Sequence, residues 1–223
     1  MRYPKVCEAR FLDRPNRFVA HVSLAGETVA VHVKNTGRCR ELLLPGVRVL
    51  LTPGETPGRK TAWDLVGVYK NDERLFNIDS QAPNRAVGEW LRRQPFSEIR
   101  PEAVFGSSRI DFAMVRGEER WLLEVKGCTL EKDGVGWFPD APTLRGAKHL
   151  RELTAAAGEG YRCAVAFVIQ TEGVTRVLPN GETDPAFAEA LAAAERAGVR
   201  ILSLPCRVTP ELLEIPDRPE DML

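Results

Sequence analysis

Asp111, in Ser108-Arg109-Ile110-Asp111-Phe112, and the pair Glu124 and Lys126, in Leu122-Leu123-Glu124-Val125-Lys126-Gly127, are the residues whose types and spacing suit chemistry best in this 223-residue chain. Side chains alternate faces along a strand, so Glu124 and Lys126 emerge on one side and Val125 on the other. A hairpin through Arg116-Gly117-Glu118-Glu119 would bring Asp111 beside Glu124. Two carboxylates at a strand edge form a hard, oxygen-rich site suited to Mg²⁺ or Mn²⁺. Such a metal polarises a phosphodiester oxygen and lowers the pKa of a bound water. The Lys126 ammonium can hold the attacking water or offset charge developing on phosphorus. The candidate catalytic set is therefore Asp111, Glu124 and Lys126, with Asp111 and Glu124 as metal ligands. Taken alone, the same spacing also fits a solvated strand face.

The elements that must position these residues change character along the chain. Up to Ile78 the pattern is β: Cys7 to Leu12, Phe18 to Leu24, Thr28 to Val33, Val47 to Leu51, Trp63 to Tyr69 and Leu75 to Ile78. Short strands at this spacing indicate a small barrel or sandwich, and a five-stranded OB-type barrel is the preferred version. Asn35 to Leu44 then forms a connecting turn or short helix. At Pro83 the pattern changes, with Asn84 read as an N-cap before a helix carrying Val87, Trp90 and Leu91. Strand-like runs follow at Ile99 to Phe105, Arg109 to Val115 and Trp121 to Val125. A long helix is predicted from about Pro142 to Ala157, with Leu144, Ala147, Leu150, Thr154 and Ala157 on its apolar face. Ala164 to Ile169 reads as a buried central strand, Pro185 to Ala197 as a helix and Val199 to Leu204 as a last strand. The end after Pro205 is expected to wrap the surface or fray. The fold class is α+β with two domains: an OB-fold-like barrel over 1–82, followed by a mixed α/β domain over 83–223.

Composition narrows the function classes. A hydrophobic content of 43% and a charged content of 28% are ordinary for a globular protein. No stretch approaches the roughly 20 consecutive apolar residues needed to cross a bilayer. The five cysteines are odd in number, scattered and without a C-x-x-C pair, which argues against a disulfide framework and a cysteine zinc site. A cytoplasmic protein without a membrane partner is expected. Net charge is zero, but residues 1–80 hold 13 Lys/Arg against 9 Asp/Glu, and residues 81–223 hold 18 against 22. A basic first half beside an acidic second half permits a nucleic-acid platform joined to a carboxylate site.

The D-x12-E-x-K arrangement, preceded by a helix and followed by one, resembles the PD-(D/E)xK nuclease superfamily, whose core is αβββαβ with the Asp on the second strand and E-x-K on the third. The longer blocks Asn35-Thr36-Gly37-Arg38, Asn77-Ile78-Asp79-Ser80-Gln81-Ala82-Pro83-Asn84, Ser108 to Phe112, Glu124 to Gly127 and Phe138-Pro139-Asp140-Ala141-Pro142-Thr143 resemble the sugar fermentation stimulation protein (SfsA) family, and His149-Leu150-Arg151-Glu152-Leu153 extends the last of them. This resemblance implies an N-terminal OB-fold, a C-terminal PD-(D/E)xK nuclease-like domain and binding to DNA, with RNA as a further substrate to consider. The usual Pro before the Asp is Ile110 here.

The nuclease resemblance also suggests a further acid from the first helix, for which Glu89 is the candidate metal ligand and Glu102 a competitor. Asp140 either reaches the metal or caps the long helix. Arg145, His149 and Glu152 form a stripe beside that helix's apolar face. Arg145 and His149 there bind a phosphate or orient the water, or else belong to a surface charge network. Lys34, Arg38 and Arg40 make a short basic cluster beside the third strand, and Arg109 joins them as a nucleic-acid-binding or supporting residue. Aromatic residues on the barrel are sparse, so backbone-tracking electrostatics fits better than base stacking. His21 and His32 are expected on the barrel surface. A metal-dependent nuclease leads. A DNA-binding regulator linked to sugar metabolism, with the nuclease fold as scaffold, is the alternative. Oligomeric state is open, a homodimer included.

Overall fold

Five of the six β-rich runs separated by turns curl into a closed barrel because each buries one face and none has a second layer of its own to cover it. In the computed structural model, which describes residues 1–35, 37, 39–54, 58–217 and 223, the barrel strands are β1 (Cys7–Asn16), β2 (Val19–Leu24), β3 (Glu27–Val33), β4 (Arg48–Pro53) and β5 (Trp63–Lys70). β1 pairs with β2, β2 with β3, β5 with β4 and β4 with β1, all antiparallel, and a parallel β3–β5 contact closes the ring. This is the five-stranded OB closure. β6 (Arg74–Asn77) pairs antiparallel with β5, outside the ring. Between β3 and β4 the chain makes a turn, with the Leu42 and Leu43 amides donating to the Cys39 carbonyl.

The second half carries a five-stranded sheet flanked by helices. Its strands are β7 (Glu98–Phe105), β8 (Ser108–Arg116), β9 (Glu119–Cys128), β12 (Arg162–Ile169) and β14 (Arg200–Pro205), in the order β14-β12-β9-β8-β7. β7, β8 and β9 form an antiparallel meander, while β9–β12 and β12–β14 are parallel. Helix α1 (Ala82–Leu91) covers one face, where Val87, Trp90 and Leu91 meet Leu123, Val125, Ala166 and Val168. Helices α2 (Leu144–Gly158) and α3 (Pro185–Arg196) cover the other, where Leu150, Leu153 and Phe187 meet Leu122, Val165 and Phe167. Barrel residues Leu50 and Val66 belong to the same core cluster as α1, so the barrel packs on that side. A small sheet of β10 (Leu130–Lys132), β11 (Val135–Phe138) and β13 (Val177–Pro179) lies beside the main one.

Three expectations are corrected. Helix α1 begins at Ala82, with Gln81 at the N-cap and Pro83 in the first turn, where its fixed φ and missing N–H are tolerated. Asn84 is thus inside the helix. Helix α2 is capped by Thr143, whose side chain accepts from the Gly146 amide at 3.0 Å, and not by Asp140. Its buried set is Gly146, Ala147, His149, Leu150, Leu153 and Ala156, while Leu144 is 90% exposed. The segment after Pro205 forms a hairpin of β15 (Arg207–Thr209) and β16 (Leu212–Glu214) that buries Val208, Leu213 and Ile215 in the core.

Candidate functional site

The β8–β9 ladder runs from Arg116↔Glu119 to Phe112↔Leu123 and stops there. The next pair in register would be Asp111 and Glu124. Instead, the Val125 amide donates to Asp111 Oδ2 at 2.7 Å, so a side chain takes the place of a ladder bond and the strands part. On the other side, Glu102 faces Asp111 at a φ of +51°, an uncommon value for a residue other than glycine, and interrupts the β7–β8 pairing at the same level. Strand alternation breaks here too: Ile110 packs with the α2 side and Phe112 with the α1 side. The Asp111 carboxylate consequently lies close to the plane of the sheet, in the gap between β8 and β9.

Glu124 and Lys126 alternate with Leu123 and Val125 and therefore face α2. Glu124 is 2% exposed. Its Oε1 accepts from Lys126 Nζ at 2.5 Å and from His149 Nδ1 on α2. Arg145 Nε donates to His149 Nε2 at 3.4 Å, an arrangement that fits a neutral imidazole carrying its proton on Nδ1. Glu124 Oε2 is buried and has no hydrogen-bond partner among the described residues. Burial alone would raise the Glu124 carboxyl, but the hydrogen bond from His149 and the Lys126 ammonium hold it below the usual range. Asp111 moves the other way. Burial and then the charge of Glu124 push it up, outweighing the Val125 amide, Lys126 and Asn84, whose Nδ2 donates to Asp111 Oδ1 at 2.7 Å.

Asp111 opens on the α1 side into a cleft of about 550 Å³ that it shares with Asn84, Gly88, Glu89 and Glu102. Glu89 lines this cleft, with its carboxylate 2.7 Å from the Met1 amino nitrogen. Glu102 pairs with Arg109 at 3.1 Å on the surface. Asp140 is exposed and lines a separate cleft between barrel and sheet with Asn35, Gly37 and Thr143. The expected basic cluster does not hold together. Lys34 turns inward, 3.1 Å from the fully buried Asp79, Arg40 is exposed, and Arg38 lies outside the described residues. Glu152 accepts from Ser107 and Ser108 in the β7–β8 turn, away from Glu124. His21 and His32 pair with Asp13 and Asp64.

Sequence reasoning missed the donor to Asp111. Asn84 three residues past Gln81 is the signal, since a first-turn side chain points back along the helix axis toward whatever the N-terminus faces. It also missed Gln170, whose Nε2 donates to Asn77 Oδ1 and the Asp79 carbonyl. A Cβ on Gly127, next to Lys126, would meet Gln170 Oε1 at 2.3 Å and Pro83 at 2.9 Å. The backbone after the E-x-K is therefore held against the barrel junction, and a lone polar residue ending an apolar run was the only trace of it.

A closed OB barrel joined to a mixed α/β domain, with acidic and basic side chains gathered where two of its strands diverge, defines a two-domain, barrel-plus-sheet class of protein. Residues 12–78 match the family model described as the SfsA N-terminal OB domain, and residues 81–212 match the one described as the sugar fermentation stimulation protein RE domain. The chain belongs to the sugar fermentation stimulation protein (SfsA) family. A homolog in Desulfitobacterium hafniense is 49% identical over 220 residues, covering 97% of this chain and 96% of the relative. One in Clostridium perfringens is 48% identical over 223 residues, covering 96% of each. Among solved structures, Pyrococcus furiosus SfsA in complex with Ca²⁺ is 28% identical with a TM-score of 0.84, over 96% of this chain and 95% of that one. No helix among the described residues is long and apolar enough to cross a membrane.

Proposed function

We propose that this chain is a Mg²⁺- or Mn²⁺-dependent nuclease that hydrolyses phosphodiester bonds in DNA or RNA in the cytoplasm, with Asp111 and Glu124 as its metal carboxylates and Lys126 as its catalytic cation. The observation that carries this reading is Glu124 Oε2, a buried carboxylate oxygen with no partner among the described residues, beside a second carboxylate that it repels. Two negative groups held together in the interior are unfavourable unless a cation joins them. Among the described residues no group of three or more His, Cys, Asp or Glu is placed to hold a metal ion, so the reading rests on the two carboxylates alone. Two carboxylates suit Mg²⁺, which keeps several waters and takes further oxygens from substrate phosphates. The Ca²⁺ bound by the Pyrococcus furiosus relative, another hard, oxygen-seeking cation, agrees with that chemistry.

When bound, the metal supplies Lewis-acid polarisation of the phosphodiester and a more acidic water. This chain's residues do the rest. His149 and Lys126 fix Glu124 Oε1 and leave the buried Oε2 without a hydrogen-bond partner among the described residues. Asn84 and the Val125 amide fix Asp111. Lys126, already at the carboxylate, offsets the charge that grows on the phosphoryl oxygens. Arg145 keeps His149 in the tautomer that donates to Glu124. Glu89 and Glu102 line the Asp111 cleft, each already paired with a cation, the Met1 amino group and Arg109 respectively.

The test is incubation of purified protein with single- and double-stranded DNA and RNA in Mn²⁺, Mg²⁺ or EDTA, beside Asp111→Ala and Lys126→Ala. Cleavage should require the metal and fall by about 10²-fold or more in each variant. Titration calorimetry with Mn²⁺ should find a site that Asp111→Ala abolishes. Equal inactivity of wild type and variants, together with equal DNA binding, would instead make the protein a non-catalytic DNA-binding regulator.

A further inference from the structure

Gly88 lies in the interior of α1 and lines the cleft into which Asp111 opens. A glycine inside a helix is less stable than alanine, because it loses more backbone freedom on folding. Such a residue is normally kept for a positive φ or for lack of room. Gly88 has neither reason. Its φ is not among the positive values, and a Cβ built on it would stand 3.5 Å from the Phe112 ring, an ordinary van der Waals contact. A Cβ there would rest on the Phe112 ring at the floor of the cleft, and a longer side chain would grow into the cleft itself.

That space has a definite chemistry. Gly88, Phe112, Ile99 and Pro101 give it apolar surface, and Arg85, Arg92, Glu89, Glu102, Asn84 and Asp111 give it polar surface. Its volume of about 550 Å³ is in the range of sites that enclose one small organic ligand. Resting on the nuclease reading of Asp111, we infer that this cleft receives the base and sugar of a single unpaired nucleotide next to the scissile phosphate, so that the substrate is single-stranded or locally unpaired nucleic acid. A base resting on the Gly88–Phe112 floor, with Ile99 and Pro101 beside it, lays on protein a face that a base within a duplex keeps stacked on its neighbour. Apolar walls stack on any base and give tolerance of sequence. The phosphate of that nucleotide then reaches the Asp111 end, and Arg92 is placed for the next one along the strand.

The proposal is tested with Gly88→Leu, which fills the cleft, and Gly88→Ala, which narrows it while favouring the helix. Binding of a fluorescein-labelled 12-nucleotide single strand and of the matching blunt duplex is followed by anisotropy in EDTA, and cleavage of both in Mn²⁺. Wild type should bind and cleave the single strand at least tenfold better than the duplex. Gly88→Leu should lose tenfold or more of single-strand affinity and Gly88→Ala several-fold, with the Gly88→Ala melting temperature equal to or above that of wild type. Single-strand affinity unchanged in both variants would overturn the cleft, as would a duplex bound as tightly as the single strand. The two readings fail separately: Gly88-dependent binding without any cleavage supports the cleft and removes the nuclease. Cleavage indifferent to Gly88 removes the cleft and leaves the nuclease.

Discussion

Glu124 shares one oxygen between two donors and leaves the other with none, while Asp111, across the parted strands, carries a charge that its surroundings resist. The two carboxyls therefore contribute to stability with opposite signs. Asp111 is raised in the fold, so its contribution is fully present below the ordinary carboxylate range and is lost as pH rises through its raised value. Glu124 is lowered, so its contribution is present above the ordinary range and is lost as pH falls through its depressed value. In metal-free buffer, Asp111→Asn should raise the melting temperature at pH 7 by roughly 2–4 °C, about 1 kcal/mol for a chain of this size. That gain should shrink towards zero below about pH 4. Glu124→Gln should lower it at pH 7, with the loss also shrinking in acid. Melting curves from pH 3 to 8 decide the matter, and shifts independent of pH would sink it. The residue types at this site were legible because a metal site needs carboxylates and strand alternation places them. Asn84 was misread because an asparagine at an N-cap and one in the first helical turn look alike in sequence. Pro83 fits either reading, ahead of the cap or inside the first turn, and the helix takes the second.

At the scale of elements, the start of α2 has a physical test. Two acids and a threonine precede the helix or support it, and the structure divides their work: Thr143 caps, Asp184 accepts from the Thr143 amide at 2.7 Å while capping α3, and Asp140 faces the barrel. Thr143→Ala should therefore destabilise the protein by about 1 kcal/mol, the usual loss for an N-cap hydroxyl, seen as a drop of roughly 2–4 °C in melting temperature. Asp140→Ala should leave melting within about 0.5 kcal/mol of wild type, as surface substitutions do. The reverse ranking in thermal denaturation would return the cap to Asp140. The main elements were readable from periodicity because they are long enough to repeat it. β10, β11 and β13, of 3–4 residues each, carry no period to read. The buried stripe of α2 was misplaced because Leu144 counts as apolar in a pattern and yet stands in solvent at the first position of the helix. A histidine, His149, occupies the buried face in its place.

Across the whole molecule, barrel and sheet domain share a polar seam. Lys34 meets Asp79, Tyr3 donates to the same carboxylate at 3.1 Å, and Gln170 ties Asn77 and the Asp79 carbonyl to the end of β12. Burial, followed by the Asp79 charge, raises the Tyr3 phenol well above its ordinary range, so it stays a donor there. Charge counting treats Lys34 as part of a basic surface, because burial depends on which distant carboxylate the fold delivers, and residues 34 and 79 come together only when the barrel closes. The two assignments predict different experiments. Lys34→Met should strand the Asp79 carboxylate in the interior and destabilise the protein by about 3–5 kcal/mol. The double variant Lys34→Met/Asp79→Leu should recover a large part of that loss, since an apolar pair can replace a buried ion pair. Measured below the melting temperature, Lys34→Met should leave the slope of log affinity against log salt for nucleic acid unchanged. Arg40→Ala, on the exposed barrel surface, should reduce that slope by up to about one if its guanidinium neutralises a phosphate. If Lys34→Met flattened the slope while melting like wild type, Lys34 would have to be a surface contact and the seam between the domains could not depend on it.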